Sequence, residues 1–180
     1  MKSNAAPEKA SHTFGPFYDK GSEILILGSF PSVKSREVGF YYGHPTNRFW
    51  KVISDIFQRK EPAAIKEKQE LLISCHIALY DVIDSCEIIG SADSSITDVK
   101  VTDLTPILNG TSVGSRIFVN GKTAYRLYMK YQFPIYGIRP ICLPSTSAAN
   151  ARYRLDDLIR DWQVIDPGMI STSVDDLGQK

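Results

Sequence analysis

Four short apolar runs, each separated from the next by a segment with helical periodicity, constrain this chain more than any other feature. Residues 23–28 (EILILG) are apolar without alternation and close on a glycine, the pattern of a strand covered on both faces. Residues 76–81 (HIALYD), 116–120 (RIFVN) and 139–143 (RPICL) repeat the theme. Between them, a helix begins after Pro45, with Thr46 or Asn47 as its cap and Phe49, Val52, Ile53 and Ile56 on one face. Further helical segments span residues 62–74, 103–108, 123–131 and 149–162. Strands alternating with helices predict an α/β fold, a three-layer α/β/α arrangement around a four-stranded parallel sheet. Ligands bind such folds at the carboxyl ends of the strands, so the informative loops are residues 29–47, 81–102, 120–122 and 144–150.

Size and composition narrow the class. The 180 residues, 43% hydrophobic and 23% charged, fit one globular domain over residues 12–165, with residues 1–11 and 167–180 as frayed tails. No apolar run approaches the ~20 residues of a membrane helix, and the polar start lacks a secretory core, so a soluble cytoplasmic protein is expected. Cys75, Cys86 and Cys142 form no CxxC pair, and His12, His44 and His76 lack zinc-hydrolase spacing. The expectation is therefore no metal and no cofactor. A monomer is expected too, since no additional apolar helix face stands out.

The net charge of +1 conceals an asymmetry. Residues 61–103 hold nine acidic and three basic side chains, whereas residues 121–160 hold seven basic and two acidic. Lys34, Arg36, Arg48 and Lys51 form a second basic group. Two basic groups meeting in the fold would suit a polyanion, although scattered solvated charge accounts for the counts equally well.

Three segments carry chemistry. Gly28-Ser29-Phe30-Pro31 leaves the first strand, and Phe40-Tyr41-Tyr42-Gly43-His44-Pro45-Thr46-Asn47-Arg48-Phe49-Trp50 leads into the first helix. Three consecutive aromatics cannot all enter one core, so some line a pocket for a planar ligand, unless together they plug the top of the sheet. Asn47 reads equally as a simple helix cap, and His44 as a satisfied loop histidine. The third segment, Leu143-Pro144-Ser145-Thr146-Ser147-Ala148-Ala149-Asn150-Ala151-Arg152, offers hydroxyls and a helix start to a phosphate, or it caps itself. A serine hydrolase built on Ser29 lacks the GxSxG elbow, and no glycine-rich phosphate loop exists.

In combination and order, these segments resemble the uracil-DNA glycosylase superfamily, most closely its hypoxanthine-DNA glycosylase branch. The HPxNxFW segment is also similar to the mismatch-specific uracil and thymine glycosylases. The resemblance takes in Gly90-Ser91-Ala92-Asp93-Ser94 and Val119-Asn120-Gly121-Lys122 as well. It implies a duplex DNA partner and a nucleotide flipped into a pocket at the strand ends. Many members carry an asparagine or aspartate where this chain has Phe30, and the hypoxanthine branch relies instead on the HPxN asparagine, here Asn47.

The resemblance thus implies Asn47 and His44 as catalytic residues, with Ser29, Phe30, Phe40 and Tyr42 around the base. Ser145, Thr146, Ser147, Asn150, Arg152 and Lys122 would hold the DNA backbone. The small stretch Ser147-Ala148-Ala149 stands where mismatch relatives carry a bulky wedge. The expected activity is monofunctional excision of a deaminated base, hypoxanthine preferred, leaving an abasic site in base excision repair. A uracil or mismatch glycosylase, or a noncatalytic nucleic-acid-binding module of the same fold, is the alternative.

Overall fold

The computed structural model describes residues 6–89 and 92–168. The remainder of both expected tails, together with Gly90 and Ser91, lies outside the described residues. Four strands, β2 (Ile24–Gly28), β3 (Ile77–Asp81), β6 (Ile117–Asn120) and β7 (Ile141–Leu143), form a parallel sheet in the order β3-β2-β6-β7. The two-faced apolarity of β2 has its cause here, because successive side chains point to opposite faces. Ile24 and Ile26 enter one core with Phe49, Val52, Ile53, Leu72 and Trp162, whereas Leu25 and Leu27 enter another with Leu104, Ile107, Val119 and Tyr128.

Helices α2 (Phe49–Ile56), α3 (Ile65–Ser74) and α7 (Leu155–Trp162) cover the first face. The second face packs against α4 (Thr105–Gly110) and α5 (Lys122–Leu127). It also packs against an unanticipated antiparallel sheet, in the order β1-β4-β5, of β1 (Glu8–Ser11), β4 (Ile83–Ile88) and β5 (Thr97–Val101). Residues 8–11, assigned to a tail on sequence, thus pair in register with β4, and β4 and β5 stand within the stretch 81–102 where a loop was expected. Irregular register between β4 and β5 breaks the alternation that marks a strand, and β5 is largely exposed.

Two further differences bear on the cleft. The expected loop at residues 29–45 contains a short helix, α1 (Val33–Val38), capped by the Ser32 hydroxyl and closed by Gly39 at φ 74°. The final helix starts at Leu155, so residues 144–154 are loop. A further helical turn, α6 (Phe133–Tyr136), lies away from the cleft.

Candidate active site

A cavity of about 850 Å³ opens at the carboxyl ends of the parallel strands, within the usual range for small-ligand sites. Its walls come from the β2 exit (Gly28, Ser29, Phe30), the segment before α2 (Tyr41, Tyr42, His44, Asn47), Asp81, Asn120 and the β7 exit (Ser145 to Ala149).

One wall is a closed relay of hydrogen bonds. The Phe49 backbone N–H donates to Asn47 Oδ1 (3.0 Å), and the Thr146 hydroxyl donates to the same oxygen (2.9 Å). Asn120 Nδ2 donates to Thr146 Oγ1 (2.9 Å), while Asn120 Oδ1 accepts from the Thr146 N–H (3.0 Å). Two backbone N–H groups, which can only donate, fix the orientation of both amides. Asn47, one residue before the Arg48 N-cap, therefore accepts the first N–H of α2 through its oxygen and retains its NH₂ group for the cavity, with no acceptor for it among the described residues. The contact at the helix start leaves the NH₂ group available.

Arg48 locks the same wall. Its guanidinium donates to the carbonyls of Thr146 (3.3 Å), Ser147 (2.7 Å), Asn150 (3.2 Å) and Tyr153. A residue counted among the surface cations on sequence is thus engaged inside the fold, and it holds residues 146–153 out of helical geometry. Trp162 Nε1 anchors the start of this loop on the Pro144 carbonyl (2.9 Å). Gly121, at φ 98°, lets the loop approach, since a Cβ there would lie 3.0 Å from that of Ser145.

The aromatic run divides. Phe40 does not reach the cavity; it is buried, stacked on Trp50 and edge-on to Phe17, which corrects its expected place beside a base. Tyr41 is also buried, its hydroxyl bonded to the Gly15 carbonyl. Tyr42 lines the cavity in a left-handed conformation (φ 51°), with one ring face on Phe49 at 3.9 Å, so only the other face remains for a ligand. Burial, and after it the Asp81 carboxylate, pushes the Tyr42 phenol well above its ordinary range. The Asn120 side chain opposes that rise, yet the hydroxyl completes no hydrogen bond among the described residues. Phe30 is a buried apolar wall with the Arg36 guanidinium 5.4 Å from its ring centre, and Ser29 lines the cavity beside it. His44 is exposed at the rim, its Nδ1 turned toward Thr46.

The expected phosphate-binding set is only partly available. Thr146 is fully buried in the relay, so its hydroxyl does not face solvent. Ser145 and Ser147 line the cavity, but their hydroxyls accept from the Ser147 and Ala149 N–H groups, and the Asn150 amide donates to the Ser145 carbonyl. With α7 starting at Leu155, no helix N-terminus points from this loop into the cleft. Lys122 and Arg152 are exposed.

The sequence reading overlooked a buried pair. His12 Nε2 donates to Asp81 Oδ2 at 2.8 Å, the side chains being 2% and 6% exposed. The chain turns from β3 into β4 at Val82, and His12 follows β1 directly, so pairing of the second sheet brings the two together. The available signal was the position of Asp81, at the carboxyl end of a parallel strand.

Comparisons with known proteins identify the family and the fold. The Uracil DNA glycosylase superfamily profile matches residues 16–165. A protein of Methanosarcina acetivorans named hypoxanthine DNA glycosylase is 33% identical over 143 residues, covering 78% of this chain and 88% of its own. Its namesake from Methanosarcina barkeri is 30% identical over 142 residues, covering 77% and 87%. A Methanosarcina acetivorans protein, solved in solution by NMR and described as a candidate uracil DNA glycosylase, superposes with a TM-score of 0.68 at 30% identity, covering 84% of this chain and 96% of that one.

Proposed function

The chain belongs to the uracil DNA glycosylase superfamily, and on that premise we propose that it is a monofunctional DNA glycosylase. It excises a deaminated base, hypoxanthine preferred, from duplex DNA and leaves an abasic site for base excision repair. The names of the two Methanosarcina relatives support this choice of base. One observation carries the reading: the Asn47 amide, its oxygen doubly occupied, offers an NH₂ donor to a cavity at the end of a parallel sheet.

A stacked base must leave the duplex before a pocket can hold it, at a cost of a few kcal/mol that is smallest for mispaired or damaged bases. Stacking on the free face of Tyr42, worth about 1–3 kcal/mol, offsets part of that cost. Breaking the N-glycosidic bond leaves positive charge on the sugar and negative charge on the departing base. A fixed donor stabilises that negative charge without reorganising. Asn47 suits this role, whereas proton abstraction from water is closed to it because its oxygen already accepts two hydrogen bonds. His44 at the rim supplies a second donor, and Lys122 and Arg152 pair with backbone phosphates. Lys34, on the cavity's rim, pairs with Glu37 at 3.3 Å in an exposed ion pair, and borohydride trapping tests it as a nucleophile.

The test is incubation of labelled duplexes carrying hypoxanthine, uracil or xanthine with the protein and with Asn47→Ala, followed by alkali. Wild-type cleavage should require alkali, borohydride should trap no adduct, and Asn47→Ala should lose about 10²–10³-fold in rate. Tight binding with no release by either protein would favour the noncatalytic module.

A further inference from the structure

The Asp81 carboxylate has one oxygen engaged and one open. Oδ2 takes the His12 Nε2 hydrogen. Oδ1 lies over Gly28, 2.3 Å from where a Cβ would stand there, and it accepts from no group among the described residues. Asp81 and Gly28 both line the cavity. The Tyr42 hydroxyl, 3.6 Å from the same Cβ position, has no hydrogen-bond partner among the described residues, so it does not satisfy Oδ1. His12 has no other polar anchor. Its Nδ1 is buried without a partner among the described residues, and rings of Phe14, Phe30, Tyr41 and Tyr80 surround the imidazole at 4.6–6.5 Å. An imidazole so enclosed has one polar function in this fold, to hold the carboxylate still.

Oδ1 thus opens to the cavity as a fixed acceptor, and a ligand that displaces solvent from it must supply a donor. Deamination supplies one. It turns the N1 lone pair of adenine into the N1–H of hypoxanthine, and the N3 lone pair of cytosine into the N3–H of uracil, each beside a carbonyl. We propose that Asp81 is a specificity-determining residue, its Oδ1 accepting the ring N–H of a deaminated base, and that His12 positions it. The inference rests on the glycosylase reading above. A purine nitrogen with a lone pair on that edge would meet the carboxylate acceptor to acceptor, which rejects it by repulsion. In hypoxanthine N1 lies in the six-membered ring, across the base from the N9 bond that breaks. The carboxylate, shared with His12, thus stays remote from the bond at which charge develops.

The test measures kcat/KM for hypoxanthine and for unsubstituted purine, which has an N1 lone pair and no 6-oxygen, in otherwise identical duplexes. Asp81→Asn is nearly isosteric. Its amide oxygen takes the His12 hydrogen and turns NH₂ toward the cavity, reversing the acceptor. The hypoxanthine-to-purine ratio should fall about 100-fold, and taking a ratio cancels the different intrinsic lability of the two bonds. His12→Leu should lower the ratio about 10-fold and His12→Gln, which can still donate, should restore most of it. Thermal unfolding of each variant identifies those that fold, and the His12 pair carries the comparison if Asp81→Asn does not. A folded Asp81→Asn protein whose ratio stays within threefold of wild type overturns the assignment. So does an unchanged ratio in both His12 variants if these alone fold. Wild-type protein that releases no hypoxanthine overturns instead the glycosylase reading.

Discussion

The two sides of the cavity solve opposite problems. On the Asn47 side every group except the outward NH₂ is bonded: Asn47, Thr146 and Asn120 close on one another, and Arg48 ties four loop carbonyls together. On the Asp81 side two buried polar atoms, Nδ1 of His12 and the Tyr42 hydroxyl, lack partners among the described residues, and Asp81 turns its second oxygen to the cavity. A satisfied network fixes geometry, whereas an unsatisfied one stores a preference for whatever completes it. The first arrangement fits a group that must stand still while a bond breaks. The second fits a group that must choose its ligand.

After the loss expected for Asn47→Ala, the largest effect should come from inverting the closed side without dismantling it. Asn47→Asp retains the oxygen that accepts the first N–H of α2 and receives the Thr146 hydroxyl, but it presents an acceptor where NH₂ stood. Base release in single-turnover assays should fall about 10²-fold, with a smaller loss of melting temperature than Asn47→Ala produces. Full activity in Asn47→Asp would make this residue a holder of water through its oxygen and break the contrast. Next in size, Arg48→Met should cost about 3 kcal/mol by urea unfolding, because four carbonyls lose a charged donor together. Thr146→Val should cost roughly 1 kcal/mol, since it removes a fully buried hydroxyl that bonds both Asn47 Oδ1 and the half-buried Asn120 amide. It should also slow release, by loosening Asn47. An unchanged rate with the expected loss of stability would separate the relay from the chemistry.

What the sequence disclosed follows the same division. The strands β2, β3, β6 and β7 announce themselves through local apolarity, and Asn47 through its place at a helix start. The second sheet does not, because β1 buries only Ala10, and the bulged β4 spoils the period. The His12–Asp81 bond spans 69 positions and depends on that sheet, so no local pattern marks it. Thr146 shows the converse error. A serine- and threonine-rich loop looks like a phosphate contact, yet the hydroxyl is claimed by an asparagine 99 positions away. The helix predicted from residue 149 begins six residues later because a single arginine, Arg48, draws the intervening carbonyls to itself.

The smallest prediction probes the open side. Tyr42→Phe keeps the ring on Phe49 and removes a buried hydroxyl without a partner, so it should raise stability by roughly 1 kcal/mol at neutral pH. The sign with pH follows from linkage. Burial and Asp81 raise the folded-state phenol above the unfolded value of about 10. Above that pH the unfolded chain sheds a proton that the folded chain keeps, so stability is full below about pH 10 and declines as pH climbs. Thermal unfolding of wild type from pH 8 to 11 should therefore show a steeper alkaline decline than Tyr42→Phe. Tyr41, also raised by burial, is common to both proteins, which leaves Tyr42 as the source of the difference. Parallel curves, or a destabilised Tyr42→Phe, would mean that the hydroxyl is satisfied after all and that this side of the cavity is as closed as the other.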